Sequence, residues 1–137
     1  MTDLKKNKFL FVLLIFTGFV LGCSNMAEQK GYQDIDVNQA VELIRKKPVL
    51  ILDVRTPEEY REAHIKDSVL IPVQELEKEY ARITEYLHTP VLIYCRSGNR
   101  SVTASHILLS RGFNNLYNMK GGIKEWIKHQ LPVETLP

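Results

Sequence analysis

Cys95-Arg96-Ser97-Gly98-Asn99-Arg100-Ser101 follows the apolar run Val91-Leu92-Ile93-Tyr94 without a break and leads into a helical pattern. A cysteine at the tip of a strand, in a polar cationic turn that opens a helix, is placed for nucleophilic chemistry. Backbone N–H groups in such a turn can converge on one point, and the helix adds the positive end of its dipole. A thiol held there ionises below its ordinary value near 8.5, and the thiolate is the nucleophile. Gly98 and Asn99 are residue types that tolerate the positive φ such a cradle demands. Ser101 is placed to cap the helix with its hydroxyl. The competing reading is a buried structural cysteine closing a core strand, a common use of the residue. Six small or polar residues after Cys95 favour a reactive thiol in an exposed loop.

The elements that must hold this loop fit one domain, since the chain has 137 residues. Its beginning reads differently. Lys5, Lys6 and Lys8 precede the uncharged apolar run Phe9 to Val20, and Val20-Leu21-Gly22-Cys23 closes it. A basic start, a short apolar stretch and a small residue at the end are the marks of an export signal. The run is short of the roughly 20 residues a spanning helix needs. Gly22-Cys23 resembles a bacterial lipobox, which implies a signal peptide over residues 1–22. Cys23 would then be acylated, for example with palmitate, as the first residue of a lipoprotein. An uncleaved N-terminal anchor is the alternative, and both readings tether the domain to a membrane outside the cytoplasm. Residues 23–31 are expected to be the lipidated end and a polar tether, and residues 32–137 the domain. The leader carries three Lys and one Asp, so the formal net charge of +2 belongs to it and the remainder is neutral. No basic run exceeds Arg45-Lys46-Lys47, which gives no footing for nucleic acid. With Cys23 acylated, Cys95 has no partner for an internal disulfide, and a lone exported cysteine points to a reactive thiol.

Short apolar runs alternate with helical patterns. Strands are expected at Tyr32–Ile35, Val49–Leu52, Ser68–Ile71, Val91–Tyr94 and Leu116–Asn118. Asp36 with Gln39 forms a capping-box start, and Thr56 with Pro57 a second helix start. Val73 to Leu87 reads as a helix with Leu76, Tyr80, Ile83 and Leu87 on one face. Ser101 to Arg111 reads as another, with Val102, Ile107 and Leu108 inward and Gly112 as its stop. Gly121-Gly122 opens a last helix through Trp126 to His129. This alternation predicts an α/β domain with a small, mostly parallel sheet of about five strands and helices on both faces.

Four stretches together resemble the rhodanese-like domain family. They are Leu52-Asp53-Val54-Arg55 with Pro57-Glu58-Glu59-Tyr60, His64-Ile65 to Ile71-Pro72, Tyr94 to Ser101, and Gly121-Gly122-Ile123 with Trp126 and Leu131-Pro132-Val133. The chain is similar to the single-domain, exported sulfurtransferases of bacteria. It implies that Cys95 attacks a sulfane sulfur, carries it as a persulfide and yields it to a second nucleophile. It also implies that Arg96, Ser97, Gly98, Asn99, Arg100 and Ser101 bind the small anionic donor, thiosulfate for example. A thiol or cyanide is the implied acceptor, with a protein as a further possible donor. Asp53 and Arg55 lie past a strand's C-terminal end, where open α/β sheets place ligands, and support the site as a salt-bridged scaffold or by touching substrate. By position His64 is structural, and Trp126 is core. Ala63, Asp67 and Gln130 stand where the family often has glycine; Asp67 can still adopt a left-handed conformation, and with Gln130 in place of a helix-ending glycine the last helix is expected to end less cleanly. No cofactor is implied, and the histidines lack ligand spacing for a metal. Two other classes remain open. Cysteine phosphatases and arsenate reductases place five residues between cysteine and arginine, whereas four separate Cys95 from Arg100. A non-enzymatic sulfur carrier or sensor would carry the same loop.

Overall fold

Residues 31–137 are described by the structure, a computed structural model. Five strands, β1 (Tyr32–Ile35), β2 (Leu50–Asp53), β3 (Val69–Leu70), β4 (Val91–Tyr94) and β5 (Leu116–Met119), form one sheet in the order β1-β5-β4-β2-β3. Every pairing is parallel, with Asp53 opposite Tyr94 and Ile93 opposite Asn118. The chain moves outward in one direction from β2 and in the other from β4. The order therefore reverses between these two neighbours, and open α/β sheets bind ligands at the C-terminal edge of such a point. Asp53 and the Cys95 loop leave the sheet there.

β2 and β4 are buried along their whole length, as their unbroken apolar runs require of strands covered on both faces. On one face Leu52, Ile93 and Cys95 pack with Leu76, Ile83, Ala104 and Leu108. On the other, Ile51, Leu92 and Tyr94 pack with Val37, Ala40, Ile123 and Trp126. Helices α3 (Leu76–Glu79) and α4 (Asn99–Ser110) cover the first face, and α1 (Val37–Lys46) and α5 (Gly122–Lys128) the second. Burying each leucine or isoleucine contributes about 1.5–3 kcal/mol, so the layers that flank β4 hold the reactive edge rigidly.

Local signals explain most boundaries. Asp36 and Gln39 close a full capping box on α1, and Thr56 and Glu59 close another on α2 (Pro57–Glu62), with Pro57 in its first turn. Trp126 is buried and its indole N–H donates to Pro132 O. Four expectations change. β3 pairs only at Val69–Leu70, because past Pro72 the Val73 amide bonds the Val54 carbonyl, one residue out of the register that Ile71 N to Asp53 O still keeps. The stretch read as one helix from Val73 to Leu87 is α3 followed by a 3-10 segment, Tyr80–Tyr86, kinked at Ile83. Leu76 and Ile83 are buried all the same; the apolar spacing is met while an uncapped start at Glu75 lets the backbone tighten.

α4 begins two residues earlier than read, at Asn99. Ser101, Ala104, Ser105 and Leu108 are buried, while Val102 and Ile107 are half-buried. The smaller side chains face the sheet, which lets the helix approach it closely. Finally, α5 ends cleanly without glycine. Gln130 takes φ 57, its amide bonds Ile127 O and the Leu131 amide bonds Trp126 O. Those two bonds make a Schellman motif, so Gln130 does the work usually given to glycine.

Candidate active site

β4 delivers Cys95 to the switch point, and the chain turns into α4 within three residues. Gly98 makes the turn at φ 109 as the N-cap residue of α4. Its amide donates to Cys95 Sγ at 3.0 Å. Ser101 Oγ lies 3.5 Å from Sγ and 3.0 Å from Gly98 O, to which it donates. One hydroxyl proton thus has two acceptors, and loss of the thiol proton favours the sulfur. Burial opposes ionisation of Cys95. Hydrogen bonds from the Ser101 hydroxyl and from the Ser101, Gly98 and Ser97 amides outweigh it and lower the pKa from its ordinary value.

Three expectations for the loop are corrected. Cys95 is 1% exposed rather than an exposed-loop thiol, because the loop folds over the sulfur to bring its amides to it. Asn99 has no positive φ; it is the first helical residue, and Gly98 alone makes the left-handed turn. Ser101 sits inside α4 and caps nothing; its hydroxyl serves the sulfur and the Gly98 carbonyl instead.

The loop is clamped from outside by α5. The Ile123 amide donates to Cys95 O at 2.9 Å and the Lys124 amide to Arg96 O at 3.2 Å. Holding these carbonyls outward leaves the loop amides facing inward. Gly121 and Gly122 have φ 77 and 58. A methyl group on Gly122 would stand 2.3 Å from Cys95 O and 2.5 Å from Arg96 O, so only glycine permits this approach.

The arginines have different tasks. Arg55 is 4% and Asp53 0% exposed. Arg55 Nη2 donates to Asp53 Oδ2 at 2.6 Å and to Ala63 O at 2.7 Å, and its Nε bonds both carboxylate oxygens. This buried pair ties β2 to the end of α2. Arg55 also lies over the Tyr94 ring, 5.5 Å from its centroid. Arg100 is engaged too. Its two Nη groups donate to the two oxygens of Glu59, each at 2.7 Å. Those bonds, opposed by burial, hold the Glu59 carboxyl down at about 2. Arg96 is exposed and lines a cleft of about 250 Å³ beside the loop, with Arg55, Glu59, Ile123 and Lys124. His64 is buried, stacked on Tyr60 and bonded through Nδ1 to Tyr60 O, which braces the end of α2.

Glu59 and Gly122 are the residues that sequence reasoning passed over as site residues. The spacing Thr56 to Glu59 announces a capping box, which locates Glu59 on α2. Its partner Arg100 is 41 positions away, and no local signal connects them. Among the described residues no group of three or more His, Cys, Asp or Glu could hold a metal ion, and no helix is long and apolar enough to cross a membrane. Cys23 lies outside the described residues.

The fold and site together define a parallel α/β domain with an amide-cradled cysteine at its switch point. The rhodanese-like domain model matches residues 36–129, and the chain belongs to that family. It is 36% identical over 85 residues to a sulfurtransferase of Allochromatium vinosum, covering 62% of this chain and 78% of the relative. It is 33% identical to the thiosulfate sulfurtransferase GlpE of Coxiella burnetii over 98 residues, 72% of this chain and 90% of the relative. Among solved structures, a rhodanese-related protein of Thermoplasma volcanium superposes with a TM-score of 0.65 at 34% identity, covering 75% of this chain and 98% of its own. The sulfurtransferase family and the fold expected from the sequence are both shown.

Proposed function

We propose that the protein is a sulfurtransferase that carries sulfane sulfur on Cys95. The observation that carries this reading is the Cys95 thiol itself, held among the Gly98 amide, the Ser101 hydroxyl and the start of α4. The thiolate attacks the outer sulfur of an anionic donor such as thiosulfate. A bond forms between Sγ and that sulfur, the donor's S–S bond breaks, and sulfite leaves with the electron pair. The persulfide is an anion in the same cradle, so the groups that lower the Cys95 pKa also hold the intermediate. A thiolate or cyanide then attacks the outer sulfur and the Cys95 thiolate leaves, closing the cycle. Relatives named as thiosulfate sulfurtransferases support the donor class.

The full chain should convert thiosulfate and cyanide to thiocyanate, and Cys95→Ser should abolish the reaction while leaving the circular dichroism spectrum unchanged. Full activity in the serine variant would overturn the assignment; sulfur loading of Cys95 without turnover would leave a carrier in its place. We also propose that residues 1–22 are a signal peptide and that acylated Cys23 holds the domain at a membrane outside the cytoplasm, where several acyl chains give stable attachment at about 0.8 kcal/mol per buried methylene. Cys23→Ser should prevent incorporation of labelled fatty acid, and a wild-type protein recovered unlabelled from the cytosol would exclude the anchor.

A further inference from the structure

Glu59 occupies the forked face of the Arg100 guanidinium. Both Nη groups of Arg100 donate to it at 2.7 Å, the forked geometry by which arginine grips carboxylates and other oxyanions. Its Oε2 also accepts the Thr56 amide at 3.0 Å, so the capping box of α2 fixes the carboxylate in front of the guanidinium. Arg100 and the Cys95 thiolate are near enough to attract each other, as are Glu59 and Arg55. Of the charged residues that line the adjoining cleft, Arg55 is matched by Asp53 and Glu59 by Arg100. What remains on the cleft wall is Arg96 and Lys124 against Glu62, and among the described residues none of these three has an ion-pair partner. Before the Cys95 thiolate is counted, the net balance of these groups is one positive charge, so each further negative charge on a donor is less well matched.

We propose that Glu59 is a specificity-determining residue that sets the charge accepted by the cleft, matching it to a singly charged sulfane-sulfur donor over a doubly charged one. The proposal rests on the sulfurtransferase reading and names the donor class of the same site. A second negative charge on a donor must either stay uncompensated or compete with Glu59 for Arg100. A cleft tuned in this way favours organic donors bearing one charge, such as thiosulfonates and persulfides, over inorganic dianions.

The test compares thiosulfate, a dianion, with methanethiosulfonate, a monoanion that presents the same outer sulfur and leaves as a sulfinate. Glu59→Gln removes the charge, and the glutamine can still accept the Thr56 amide, so α2 keeps its cap. In the full chain, Glu59→Gln should shift the ratio of kcat/KM values toward thiosulfate by about threefold or more at low ionic strength, mostly through KM. The shift should shrink in about 1 M salt, where charges more than a few ångströms apart are screened. Arg100→Gln, which leaves the Glu59 carboxylate unmatched, should move the ratio the opposite way. A second measurement needs no sulfur transfer: alkylation of Cys95 by iodoacetate relative to neutral iodoacetamide should rise about threefold or more in Glu59→Gln. If both ratios stay at the wild-type value, or both donors and both reagents slow equally, Glu59 is only a brace and the proposal fails. If the alkylation ratio rises but neither wild type nor variant turns over either donor, the charge role stands and the sulfurtransferase reading falls.

Discussion

The Cys95 thiolate is favoured mainly by neutral donors, one hydroxyl and a few amides, against the cost of its own burial. The Ser101 hydroxyl is the largest of the favourable contributions, and it is the one a single substitution removes cleanly. Hydrogen bonds to charged groups are worth about 1.5–3 kcal/mol, so Ser101→Ala should raise the Cys95 pKa and slow sulfur transfer at neutral pH several-fold. The midpoint of iodoacetamide alkylation against pH reads this directly. It should lie below that of a free thiol, about 8.5, in the wild type and move upward in the variant. An unmoved midpoint would mean that the amides alone hold the anion. The direction follows from the acid itself: removing a donor to the anion destabilises only the ionised form, so the curve shifts to higher pH.

One element, α5, shapes the loop from outside, and each of its two ends depends on one backbone conformation. α5 clamps the Cys95 and Arg96 carbonyls through its first amides, and Gly122 is the point of closest approach. Gly122→Ala must push the loop or the helix away. It should cost about 1–3 kcal/mol of stability and lower sulfur transfer by more than about tenfold, since displaced donors no longer aim at the sulfur. Wild-type turnover in a folded Gly122→Ala protein would exclude the clamp. At the other end of α5, Gln130 holds the left-handed position of the Schellman motif at φ 57. Glycine there relieves backbone strain but adds freedom to the unfolded chain, and the first effect is larger. Gln130→Gly should therefore stabilise the domain by about 0.5–1 kcal/mol, read as a higher urea midpoint with an unchanged slope. A lower midpoint would show that the Gln130 conformation is unstrained.

Across the molecule, what was legible in the sequence was local. The buried strands, the Asp36 and Thr56 caps, the Gly112 stop and the cysteine turn all announce themselves within a few neighbouring residues. The Asp53–Arg55 pair was readable as a scaffold because its members are two positions apart at a strand end. Glu59 with Arg100, and Gly122 against Cys95, come together only when α2 and α5 settle beside the switch point, and no window of sequence contains both partners. The Val73–Leu87 stretch was misread because apolar spacing reports which side chains turn inward, and a 3-10 backbone can meet that demand as well as an α-helix. The Asp53–Arg55 pair also carries the prediction with the widest reach, because it joins β2 to the Ala63 carbonyl and to the Tyr94 ring. With both groups 4% exposed or less, solvent does little to screen the pair. Asp53→Asn leaves the Arg55 charge buried without its counter-ion, a loss commonly near 3–5 kcal/mol out of a total of about 5–15 kcal/mol for a domain. The urea midpoint should fall accordingly, with the slope of the transition unchanged. Replacing both residues, Asp53→Leu with Arg55→Met, removes the unpaired charge and should recover part of that loss, since an apolar pair is often no less stable than a buried ionic one. A single Asp53→Asn variant within about 1 kcal/mol of wild type would mean that the pair positions the edge of the site without contributing to the stability of the fold.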